Sequence, residues 1–262
     1  MKKIVFCFIL LNMGIKLSWA KDIMLYIHGG NTVYQSYFHR LEEEMQNIDV
    51  ETINYPIYLN RSIGEHALRV DSIIQNYKDG ADSLRIFMIA EKEASFVALD
   101  ILSKDTDIVA LFALSGTFCN GDDYFYNEAS IIKNMEMLDS ASFNNKEQYL
   151  RFVYKMISNA KQGRTYKLPH KADEYMQNLS ILLNSRLGRS ILEFSLDEHL
   201  KRIRSWIVPF YRSKNQSSEL DLYIGKLLYN GALFGIKFAE PLNYKEENVN
   251  SEIIKHIVNF KK

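Results

Sequence analysis

Two cysteines, four prolines, two tryptophans and six histidines are all that this chain of 262 residues contains of those types. Each scarcity excludes something. Cys7 lies in the apolar N-terminal stretch, so Cys119 is the only thiol beyond it, and a chain trimmed of that stretch has no intrachain disulfide. His66, His170, His199 and His256 show no zinc-ligand spacing, and Asp122-Asp123 reads as a solvated acidic loop, so neither a metal nor another cofactor is expected. No charge predominates: 32 basic residues balance 32 acidic ones, and no basic face suggests a nucleic-acid partner. The opening apolar run, residues 4–11, is too short for a bilayer.

That opening has another reading. Lys2 and Lys3 form a positive head, residues 4–11 an apolar centre, and Ser18-Trp19-Ala20 supplies small residues before a cleavage point. The expectation is a secretory signal over residues 1–20, removed to leave no stable membrane span, with an uncleaved anchor as the alternative. Removing three lysines and no acid leaves 29 basic against 32 acidic residues, a formal charge of −3. A bacterial protein without disulfides suits a periplasm, and the extracellular medium is the other destination the signal allows.

What remains is 47% hydrophobic and patterned. Residues 23–30 form an apolar run ending in Gly29-Gly30, where glycine permits positive φ or close approach. A helix follows over 33–47, then a strand over 50–55 ended by Pro56, and a helix with Ile63, Ala67, Val70, Ile74 and Tyr77 on one face, stopped by Gly80. Residues 84–90 read as a buried strand, and Phe96, Leu99 and Leu102 as the apolar face of a helix close behind it; 107–114 is another buried strand. Strands alternating with helices imply right-handed βαβ units and a mostly parallel sheet.

From 117 to 204 the pattern is helical (147–160, 172–183, 196–203) with no strand. We take it as a lid inserted into a core of 21–116 and 205–262. The core resumes with a strand over 206–211, where Pro209 argues against a fully paired central position. A helix over 219–229 closed by Asn230-Gly231, a strand over 233–239 and a helix over 252–260 complete it.

Two features in this order carry a resemblance. His28-Gly29-Gly30 follows the first strand, and a small-x-x-x-small turn, Ala90 to Ala94, follows the third. Residues 22–260 resemble the α/β-hydrolase superfamily, in its bacterial esterase- or peptidase-like branch; Leu114-Ser115-Gly116-Thr117-Phe118 and Leu242-Asn243-Tyr244-Lys245 add to the likeness. The resemblance implies a three-layer α/β fold with a mostly parallel sheet of about six strands and a helical lid. It places the nucleophile at Lys92, the acid at Asn215 and the histidine at Tyr244, with Asn243 as the other match for the last. None of the three has the expected chemistry. An ammonium flanked by Glu91 and Glu93 is a poor nucleophile, and a phenol is a poor base near neutrality. The oxyanion-type loop maps to Gly29, Gly30, Asn31 and the Glu93 amide.

The expectation is therefore an exported protein that has lost serine-hydrolase activity and binds or scaffolds, with a small-molecule or peptide ligand under the lid. The alternative is an active carboxylesterase using displaced residues such as Ser95 or Ser115 with His28. Cys119 is a further nucleophile candidate, and Tyr124-Phe125-Tyr126 reads as core.

Overall fold

The computed structural model describes residues 20–29, 32–81, 83–105, 107–133, 146–164, 166–170, 172–212, 223–244 and 248–261. The expected signal peptide, Gly30, Asn31 and Asn215 lie outside the described residues. The strands are β1 (Ala20–Gly29), β2 (Val50–Ile57), β3 (Ser83–Glu91), β4 (Ile108–Leu114), β5 (Trp206–Arg212), β6 (Lys237–Phe238) and β7 (Leu242–Tyr244). They form one parallel sheet in the order β2-β1-β3-β4-β5-β6, with β7 also pairing β5.

Continuous apolar runs become strands here because both faces of the sheet are covered. Along β1, Ile23, Leu25 and Ile27 point into one core cluster while Met24 and Tyr26 point into the other. The second cluster is closed by α1 (Thr32–Gln46), through Leu41 and Met45, and by the C-terminal helix, through Val249, Ile253 and Ile257. The first is closed by α2 (Ile63–Lys78) and α3 (Ala94–Leu102). Helix α2 begins at a reciprocal cap: the Ser62 hydroxyl accepts from the Glu65 amide at 3.2 Å, and the Glu65 carboxylate accepts from the Ser62 amide at 2.7 Å. Instead of one apolar face, all nine residues of α3 are buried, since the helix has the sheet on one side and other helices on the other.

Between β4 and β5 the described residues contain five helices and no strand: α4 (Gly121–Lys133), α5 (Lys146–Lys161), α6 (Glu174–Asn184), α7 (Arg186–Leu192) and α8 (Leu196–Leu200). Helices α9 (Gly225–Phe234) and α10 (Val249–Lys261) complete the chain.

Three local expectations are corrected, and one, at Pro209, holds. Pro56 does not end β2, which runs on to Ile57; β2 is the edge strand, where a missing donor is tolerated. Pro209 sits inside the sheet, opposite Ala113 of β4. On its other edge, β5 meets β6 at Trp206 and Ile207 and β7 at Phe210 to Arg212, and Pro209 falls in the gap between them. Ile207 bonds outward to Ala239 and Phe210 inward to Ser115, so alternation turns the proline's missing N–H into that gap. Asn230-Gly231 does not close α9; the helix runs to Phe234 and ends at Gly235, whose φ is +70°. Gly231 is instead a close approach, since a Cβ there would lie 2.0 Å from the Phe238 ring. The final strand expected over 233–239 is consequently two short ones, and the sheet counts seven strands.

Candidate functional site

The turn from β3 into α3 is tight because its flanks are small: Ala90 and Ala94 are both fully buried. Between them Lys92 adopts φ +46°, a left-handed conformation costly for any residue with a Cβ. The end of β4 holds it there. The Lys92 amide donates to the Leu114 carbonyl at 3.2 Å, and the Thr117 hydroxyl donates to the Lys92 carbonyl at 3.1 Å. Ser95 N–H donates back to Lys92 O at 2.9 Å, closing the turn into the helix.

The Lys92 side chain is exposed, and its ammonium has no ion-pair partner among the described residues. Its acidic neighbours turn to tyrosines. Glu91 is buried, with the Tyr26 hydroxyl 3.5 Å from its carboxylate. Glu93 accepts a 2.5 Å hydrogen bond from Tyr124 of α4. Burial first, and then the charge of Glu93, hold the Tyr124 phenol well above its ordinary range, so it remains a donor. A parallel pair lies nearby: Tyr223 donates to Glu128 at 2.7 Å, and burial followed by that carboxylate also pushes the Tyr223 phenol up.

The other sequence candidates are dispersed. His28 is buried on β1, stacked on Tyr26 with centroids 4.8 Å apart. Its Nδ1 contacts the Gly29 carbonyl, and its Nε2 lies 2.5 Å from Asn54 Oδ1. Ser95 is fully buried in the first turn of α3, its Oγ without a hydrogen-bond partner. Ser115 is buried at the end of β4 with φ +47°, its amide donating to the Phe210 carbonyl at 2.9 Å. Gly29 ends β1 beside Ile57; its φ is not positive, and a Cβ there would meet nothing within 4 Å, so this position demands no glycine. Asn243 and Tyr244 lie on β7, opposite Tyr211 and Arg212. Burial pushes the Cys119 thiol far above its usual range, which removes it as a thiolate nucleophile.

Asp122 and Asp123 are not a solvated loop. They open α4 and pair with Lys161 of α5 at 2.5 Å and Lys226 of α9 at 2.7 Å. His66 is a core histidine, with Nδ1 2.9 Å from the Tyr55 hydroxyl and Nε2 3.0 Å from the Tyr58 backbone nitrogen. The tyrosine–glutamate pairs went unread because their partners are 31 and 95 residues apart. Among the described residues, no three ligating side chains converge as a metal would require, and no helix is long and apolar enough to cross a membrane.

No family model and no curated protein matches the chain. Solved structures do. Est1E from Butyrivibrio proteoclasticus superposes with a TM-score of 0.53 at 12% identity, over 92% of this chain and 88% of that one. A lipase-esterase related protein from Clostridium acetobutylicum gives 0.52 at 15% identity, over 93% and 96%. A puromycin-hydrolyzing peptidase of Mycobacterium tuberculosis gives 0.53 at 13% identity, over 92% of this chain and 34% of that one. The parallel sheet, its strand order and these neighbours agree: this chain has the α/β-hydrolase fold, with a lysine at its strand–turn–helix elbow.

Proposed function

We propose that this is an exported hydrolase-fold protein that has lost serine-hydrolase chemistry and binds or scaffolds, the helices between β4 and β5 serving as a lid over the elbow. One observation carries the reading. The elbow keeps its strained backbone at Lys92, φ +46°, while the side chain there is an exposed ammonium with no ion-pair partner among the described residues. Strain of this kind persists only where the surroundings impose it. A nucleophile, by contrast, needs a base in contact and a third group to orient that base. The imidazole of His28, the sequence candidate for a base, is engaged with Gly29 and Asn54.

The ligand class in this reading is a small molecule or peptide. The signal-like sequence of residues 1–20 supports a periplasmic or extracellular site of action, and N-terminal sequencing of the secreted protein should begin at Lys21. The competing reading is an esterase built on Ser95 or Ser115, favoured by the left-handed backbone of Ser115 at the sheet edge where α/β folds bind ligands. A serine-reactive fluorophosphonate separates the two. We expect no labelling of the purified mature protein; covalent labelling at a single serine would sink the proposal.

A further inference from the structure

Where the helical segment returns to the sheet, a histidine joins its last helix to the elbow helix. His199 of α8 places Nε2 3.3 Å from Asp100 Oδ1 of α3, and Nδ1 2.6 Å from the Ser195 carbonyl oxygen. The ring lies flat on Phe194, centroids 4.1 Å apart, and Phe194 meets Phe96 of α3 edge-on at 5.0 Å. Both side chains are largely shielded, His199 at 20% and Asp100 at 10% exposure.

Both ring nitrogens therefore face groups that only accept hydrogen bonds. A neutral imidazole carries one N–H and satisfies one of them, leaving the other nitrogen lone pair to lone pair with its neighbour. An imidazolium satisfies both. Asp100 is fit to receive the charge: burial alone would raise its carboxyl, but His199 and Lys104 outweigh that and hold it below the usual carboxylate range. Lys104 occupies the other oxygen at 2.6 Å, so Asp100 keeps a partner when His199 is neutral. The remaining charges around the ring belong to its own helix and the turn after it. Glu198 is paired with Lys201 at 2.7 Å and near Arg202, and Asp197 accepts from Asn230 of α9 at 3.1 Å.

We propose that the His199–Asp100 pair is a pH-sensitive latch, fastening the C-terminal end of the helical segment to the elbow helix when the ring is protonated and slackening when it is neutral. The sign follows from the geometry: the contact is complete at low pH and loses a hydrogen bond as pH rises. Lys104 keeps Asp100 compensated, so α8 loosens against α3 without unfolding the core. The latch is independent of whether the elbow retains any catalysis.

The test uses the full chain, isotopically labelled. Long-range ¹H–¹⁵N spectra across a pH series should show His199 protonated on both nitrogens at the acid end and present as a single tautomer at the alkaline end. Over that span, amide-exchange protection factors in residues 196–200 should fall about two- to fivefold, as expected of a partly exposed ion pair. In Asp100→Asn and His199→Gln that pH dependence should vanish. A ring that keeps one protonation state across the series in the unaltered protein would overturn the latch, as would equal pH dependence of protection in Asp100→Asn.

Discussion

Lys92 concentrates the question of what this fold has kept. A residue with a Cβ at φ +46° costs about 1–2 kcal/mol, and glycine there would surrender about 0.5–1 kcal/mol of chain entropy on folding. Lys92→Gly is therefore expected to stabilise the protein by about 0.5–1 kcal/mol, read from urea midpoints. Unchanged or lowered stability would mean that the turn does not strain the lysine. Lys92→Ser tests the chemistry. It restores a hydroxyl to the elbow but supplies no base, so no ester hydrolysis above the unaltered protein should appear. Measurable turnover in that variant would reveal a base within reach of the elbow. The sequence made the lysine between Ala90 and Ala94 plain. It did not reveal that Glu91 and Glu93 turn to Tyr26 and Tyr124 rather than to Lys92, since those partners come from other elements.

Among the elements, the legible ones are those whose signal is local. Runs such as residues 84–90 are apolar throughout because both faces are buried, and Ser62 with Glu65 marks a helix start on its own. The misread ones depend on neighbours. Asn230-Gly231 has the form of a stop, yet Gly231 lies inside α9 because Phe238 packs against its bare backbone. Gly231→Ala should cost about 1–3 kcal/mol, by displacing the ring and weakening the β5–β6 pairing. Circular dichroism melts would measure the loss, and a neutral substitution would show that the helix can move aside. Pro209 keeps its local meaning: its outer edge falls in the gap between β6 and β7, so the position is not fully paired.

The whole molecule is closed by ties that no window of sequence contains. Asp22 of β1, 4% exposed, receives Arg85 of β3 through two bonds of 2.7 and 2.9 Å and Lys261 of α10 at 2.7 Å. Removing the carboxylate strands two partly exposed cations, so Asp22→Ala is expected to cost about 2–3 kcal/mol by chemical denaturation, below the range for fully buried pairs. The pH response of the fold has a definite sign. Burial lowers the pKa of His66, and pairing with Lys161 lowers that of Asp122. Both contribute stability that is present above their unfolded values, near 6.5 and 3.9, and is lost as pH falls through the folded ones. The melting temperature should accordingly decline below about pH 6, with the dependence from His66 missing in His66→Gln.

A turnover measurement decides whether this α/β-hydrolase fold has lost its hydrolase chemistry, as proposed. Purified mature protein, with Ser95→Ala and Ser115→Ala beside it, is given short-chain p-nitrophenyl esters. The account predicts that all three proteins are indistinguishable from buffer. Saturable hydrolysis abolished by either single serine change would contradict it.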